Sequence, residues 1–263
     1  MRLFRFFDLF VLMALGLMLP LTGARAEADL SGNEILALAR EAAGGDGWAN
    51  AQTLSLSGHA IFYGPKGPEP RSIADDYRMW RIFDADREAA HGAEGKVRII
   101  AKSGDKLLFE VGFDGQTTWT ERGITPKAEA DAFWASNFGF GIIRQADKPG
   151  FTATRLADDR IDGHPLFMVL LTDPKGGETL FGIDQQSHAI RSMGFRTPKG
   201  WHHRTYDDFV ELDNPRWLQA RHVTLYYDGR KSNEVFWTTT RVNEEIDPAL
   251  FEPPAAMLPG PAD

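Results

Sequence analysis

The chain of 263 residues contains no cysteine. That absence excludes a disulfide framework and a thiolate metal site. It also leaves no thiol on which an acyl anchor could be built. Positive charge is in short supply, with 29 Lys and Arg against 37 Asp and Glu and a formal charge of −8. No basic stripe breaks this balance, which excludes a general nucleic-acid binder. Long apolar runs are also lacking. Val11 to Leu21 is almost wholly apolar, but a membrane-spanning helix needs about 20 such residues.

Catalytic signatures are missing as well. There is no G-x-S-x-G elbow. The 7 histidines include no H-x-H or H-E-x-x-H spacing. The glycines from Gly92 to Gly95 are not followed by the lysine and hydroxyl of a phosphate loop. His202 and His203 are adjacent, and neighbours on a strand point to opposite faces, so the pair is poorly placed to share a metal. The adjacent carboxylates Asp75-Asp76, Asp158-Asp159, Asp207-Asp208 and Glu244-Glu245 read as solvated charge. These absences point to a protein that is not an enzyme and needs no metal or organic cofactor.

What is present begins with an export signal. Arg2 and Arg5 precede the apolar run, and Ala24-Arg25-Ala26 fits a small-x-small cleavage site. Residues 1–26 are expected to be removed, with no transmembrane anchor left behind. Residues 27–263 then form one domain. A cleaved signal and the lack of cysteine together suit a bacterial periplasm.

The mature part reads as one helix followed by many strands. Ser31-Gly32-Asn33-Glu34 is a capping box. Ile35, Leu38, Ala39 and Ala42 follow at helical spacing, and Gly44-Gly45 ends the helix. From Thr53 the period becomes two: Leu54, Leu56, Ala60 and Phe62 alternate with Ser55, Ser57 and His59. Gly64 to Pro68 is a turn. Strands are expected at 71–83, 97–101, 106–113 and 116–121. Asp114-Gly115 is a candidate type I′ hairpin, a turn in which both central residues have positive φ. Thr125-Pro126 opens a second helix, with threonine as cap and proline at the first helical position. Strands resume at 151–156 and continue through 165–171, 180–184, 189–196 and 202–212. A last hairpin, 217–227 with 234–242, turns at Asp228-Gly229. The sum is about ten or eleven short, evenly spaced strands, mainly β with few helices: a barrel or strongly curved sheet.

A sequence of motifs carries a resemblance over most of the mature part. The capped helix, Gly-Gly and an aromatic residue precede Thr53-Leu54-Ser55-Leu56-Ser57-Gly58. Phe113-Asp114-Gly115 runs on to Trp119, Ile183-Asp184 to Arg191, and Tyr206-Asp207-Asp208 to Asp213. Val242-Asn243-Glu244-Glu245-Ile246-Asp247-Pro248 leads to Phe251-Glu252-Pro253. This order resembles the superfamily of periplasmic outer-membrane lipoprotein carriers. The resemblance implies a half-open antiparallel β-barrel whose concave face is covered by a helical lid or plug. It also implies an apolar ligand, a lipid or a lipoprotein acyl chain.

The residues themselves suggest where such a ligand would sit. The second helix carries Phe133, Trp134 and Phe138 on one side, followed by Phe140, Ile142 and Ile143; Trp119 lies on a preceding strand. These seven are the candidate cavity or lid residues, with Gly139 and Gly141 as a hinge. The plainer reading is that the aromatic stripe plugs the barrel as core. Two functions fit: a carrier for an apolar molecule, or an envelope protein-interaction or stress-sensing module with a protein partner and no lipid.

Overall fold

The computed structural model describes residues 30–64 and 67–257. The expected signal segment, 1–26, lies outside them, as do the two central residues of the turn from Gly64 to Pro68. The chain opens with α1 (Gly32–Ala43). The capping box is present: Glu34 N–H donates to Ser31 Oγ at 3.3 Å, and Ser31 N–H donates to Glu34 Oε2 at 2.8 Å. Gly44 ends the helix at φ 133°, in the range that only glycine enters without strain. A single turn, α2 (Asp46–Ala49), follows and buries Trp48.

The strands come in order. The first eight are β1 (Thr53–Tyr63), β2 (Pro70–Ile82), β3 (Lys96–Ser103), β4 (Lys106–Phe113), β5 (Thr118–Thr120), β6 (Gly123–Ile124), β7 (Thr152–Arg155) and β8 (Asp159–Ile161). The rest are β9 (His164–Thr172), β10 (Glu178–Asp184), β11 (Ile190–Thr197), β12 (Gly200–Asp213), β13 (Arg216–Tyr227) and β14 (Arg230–Val242). The helix α3 (Lys127–Asn137) lies between β6 and β7 and runs into a 3₁₀ turn, Phe140–Gln145.

All strands belong to one antiparallel sheet in the order β6-β5-β4-β3-β2-β1-β14-β13-β12-β11-β10-β9-β7, with β8 also paired to β9. The pairing of β1 with β14 joins the two halves, and β6 and β7 remain as separate edges. The fold is therefore a half-open barrel. Among the described residues it has 14 strands rather than ten or eleven; β6 and β8, two and three residues long, lie outside every expected strand. Segments that short carry no alternation to read.

Curvature has a local cause. The register of β1 shifts at Gly58 against both neighbours, and such bulges bend a strand and increase its twist. A side-chain carbon at Gly58 would come within 1.9 Å of the Phe236 carbonyl, so only glycine allows this approach.

One turn and one helix start differ from expectation. Asp228 and Gly229 both have positive φ, 47° and 74°, as a type I′ turn requires. At Asp114-Gly115 only Gly115 does; the Asp114 carboxylate instead accepts from the N–H groups of Gln116 and Thr117. The side chain replaces a backbone partner, and this turn is an Asx turn. Pro126 is the residue before α3, not its first, with extended ψ of 140° and no side-chain cap bond. The Thr125 backbone is held by the Thr118 carbonyl instead.

Candidate functional site

The concave face of the sheet and the segment α3 to Gln145 enclose a cavity of about 450 Å³. That lies toward the lower end of the roughly 300–1,000 Å³ typical of small-molecule sites. Its walls come from inward residues of β1 to β4 and of β12 to β14. Period-two alternation brings Leu56, Tyr77, Val111, Leu225 and Trp237 to this face. Rings pack against one another along it: Tyr77 and Trp237 stack at 5.3 Å, and Phe62 meets Phe109 edge-on at 5.6 Å.

The seven sequence candidates divide. Phe133, Phe138 and Phe140 line the cavity. Trp134 does not; it is 1% exposed, and its Nε1 donates to Thr118 Oγ1 at 2.8 Å. Trp119, equally buried, donates from Nε1 to the Phe251 carbonyl and locks the C-terminal 3₁₀ turn to the sheet. Ile142 and Ile143 are buried behind the lining. The stripe is thus part wall and part core. Gly139 and Gly141 are not in a glycine-specific backbone conformation, since neither has positive φ. They are small because the segment is tightly packed. A side-chain carbon would stand 2.9 Å from the Phe195 ring at Gly139 and 2.8 Å from the Glu94 carboxylate at Gly141.

The charged part of the wall was not foreseen. Arg81, Arg144, Lys199 and Arg204 line the cavity, and among the described residues no carboxylate or histidine does. Arg144 is 7% exposed. Its guanidinium lies 3.9 Å from the Phe83 ring centre, 4.9 Å from Trp48 and 5.1 Å from Trp217. Such contacts favour a cation through the ring quadrupoles. Burial pulls Arg144 down to about 9, with Glu94 opposing and Arg81 and Arg87 reinforcing; it stays charged at neutral pH. Behind it, Arg81 Nη2 donates to Glu94 Oε2 at 2.6 Å, and Arg87 bonds the same oxygen. Burial alone would raise the Glu94 carboxyl, but the three guanidiniums hold it below the usual carboxylate range. A hint stood in the sequence, where arginine follows Ile142-Ile143 in an otherwise apolar stretch.

His202 and His203 do point to opposite faces. His202 is fully buried between Ser136 and Arg204, and His203 stacks on Tyr226. Among the described residues no cluster of three or more His, Asp or Glu could hold a metal ion, and no helix is long and apolar enough to cross a membrane.

No protein-family model matches the chain, and neither does any curated protein. Solved structures do. A domain from Vibrio parahaemolyticus described as an outer membrane lipoprotein-sorting protein superposes with a TM-score of 0.52 at 14% identity, over 82% of this chain and 94% of that one. A DUF1329 family protein from Desulfovibrio piger gives 0.56 at 10% identity, over 87% and 99%. A LolA superfamily protein from Nitrosomonas europaea gives 0.50 at 10% identity, over 85% and 98%. The chain shares the fold of these structures, a LolA-like half-open barrel.

Proposed function

We propose that this protein is a non-enzymatic carrier or binding protein for an apolar ligand, a lipid or an acyl chain, acting in the periplasm. The observation that carries the reading is the cavity itself: an aromatic and aliphatic interior of about 450 Å³, roofed by α3 and its 3₁₀ extension. Burying apolar ligand surface there yields about 25 cal/mol per Å², and rigid rings present that surface with little entropy to lose. The names of two fold neighbours, which refer to lipoprotein sorting and to LolA, support the same reading. Among the described residues the wall contains neither histidine nor carboxylate, the groups most used as general bases. Tyr77 and Tyr206 are pushed up to about 12 by burial, which keeps both phenols neutral. This supports binding rather than catalysis.

Export rests on the charged start, the apolar run and Ala24-Arg25-Ala26. Protein recovered from the periplasmic fraction is expected to begin at Glu27. The functional test is native mass spectrometry after gentle purification, paired with titration of a fluorescent fatty acid. Co-purified lipid and saturable probe binding support the carrier. An empty protein that ignores the probe and retains a protein partner would overturn it in favour of the interaction module.

A further inference from the structure

We propose that the ligand is an anionic amphiphile, with its acyl chain along the aromatic wall and its carboxylate or phosphate head group on Arg144, at a cationic pole formed with Arg81. This deepens the carrier reading and rests on it.

The argument starts from the charge count. One carboxylate, Glu94, faces three buried guanidiniums, Arg81, Arg87 and Arg144, and hydrogen-bonds the first two. Arg87 is further held by the carbonyls of Ala89 and Ala90. Among the described residues Arg144 has no such partner: its Nε and Nη1 are buried and make no hydrogen bond. Arg81 Nε is in the same condition. Rings stabilise a cation but accept its N–H groups poorly, and a buried charge is retained at low cost only when paired and hydrogen-bonded. Both arginines line the cavity. A head group arriving from the cavity supplies what they lack, because guanidinium offers planar, paired donors suited to carboxylate and phosphate oxygens.

The rest of the wall agrees in sign. Its two other ionisable cations, Lys199 and Arg204, stand with no carboxylate among the lining residues. Arg204 is already engaged with the Asn137 carbonyl and His202 Nε2, and Lys199 is exposed. That leaves the Arg81–Arg144 pole as a buried, under-bonded cationic site in a mostly apolar chamber. The modest volume suits a single chain better than a lipid with several.

The test compares cis-parinaric acid with its methyl ester, which has the same chain without the charge. The wild-type protein is expected to bind the acid at least about tenfold more tightly, the factor equal to 1.4 kcal/mol. Arg144→Gln is expected to abolish that preference while still binding the ester, and Arg144→Lys to retain part of it. Should Arg144→Gln not fold, Lys199→Gln and Arg204→Gln remove the other cations; a preference surviving both assigns it to the remaining pole. Equal wild-type affinity for acid and ester overturns the head-group assignment and leaves the carrier standing. A preference lost with Lys199→Gln and kept by Arg144→Gln overturns it too, placing the anion at the mouth. If neither acid nor ester binds, the carrier reading itself is overturned. Competition by lysophosphatidic acid against oleic acid then separates a phosphate from a carboxylate head group.

Discussion

The guanidinium of Arg204 donates to the main-chain carbonyl of Asn137 across 2.6 Å. Beside it, the Ser136 carbonyl accepts from His202 Nδ1 at 3.0 Å and from the Tyr227 hydroxyl at 2.8 Å. The last carbonyls of a helix have no partner within it, and here β12 and β13 supply them. The roof of the cavity is therefore latched to the sheet at one end. Arg204→Met is expected to cost about 1.5–3 kcal/mol, the usual worth of a charge-assisted bond. It should also speed hydrogen exchange at the amides of 127–145. Unchanged exchange there would show that the latch does not hold the roof.

The same latch makes stability depend on pH. His202 Nδ1 faces a carbonyl and must donate, while Nε2 faces the Arg204 N–H and must accept, so the ring is neutral. Burial, reinforced by Arg204, lowers it from 6.5 to about 2. Below pH 6.5 the unfolded chain takes up a proton that the folded chain refuses. Stability from this group is thus fully present above 6.5 and falls as pH drops toward 2, by up to about 1.4 kcal/mol per pH unit. His91, lowered by burial to about 4, acts in the same direction over a narrower window. Denaturant midpoints at pH 7.5 and pH 5 should separate less in His202→Asn than in the wild type. Equal separation would remove His202 from the account.

Much of this frame could be read from the sequence, because its signals are local. The Ser31–Glu34 capping box, the alternation from Leu54 to Phe62 and the Asp228-Gly229 turn each need only neighbouring residues. Asp114-Gly115 misled because an aspartate side chain can close a turn in place of backbone. The cationic pole was hidden for a different reason. Arg81 is near the end of β2 and Glu94 in the β2–β3 connection, while Arg144 lies on the 3₁₀ turn after α3, and only tertiary packing of that turn brings the three together. The apolar stripe around Trp134 was legible as a stripe, yet which of its rings faces the cavity depends on the angle at which α3 crosses the sheet.

That division of the stripe has a measurable consequence. Trp134→Ala and Trp119→Ala each remove a fully buried ring and strand a hydrogen-bond acceptor. Each is expected to cost about 3–5 kcal/mol. Phe133 lines the cavity and is partly exposed, so Phe133→Ala should cost less stability and weaken a fluorescent fatty acid more. Denaturant midpoint and probe affinity, measured on all three, decide the matter. A Phe133→Ala variant as unstable as Trp134→Ala with unaltered affinity would make the whole stripe core.

Gly141 separates a hinge from a packing contact. Its backbone passes so close to the buried ion pair that a methyl group would meet Glu94 Oε2 at 2.8 Å and Arg87 Nη1 at 3.1 Å. Neither atom is free to retreat, since Arg81 and Arg87 both hold that carboxylate oxygen. Gly141→Ala must therefore displace either the 3₁₀ turn or the ion pair. Overpacking of this kind costs about 1–3 kcal/mol, and a weakened buried pair adds to it. The turn carries Arg144 at its far end, so the head-group preference should fall together with stability. A hinge glycine would behave differently: alanine would slow probe entry in stopped-flow mixing and leave the denaturant midpoint where it was. Loss of midpoint with an unaltered entry rate is the expected result, and the reverse pattern would restore Gly141 as a hinge.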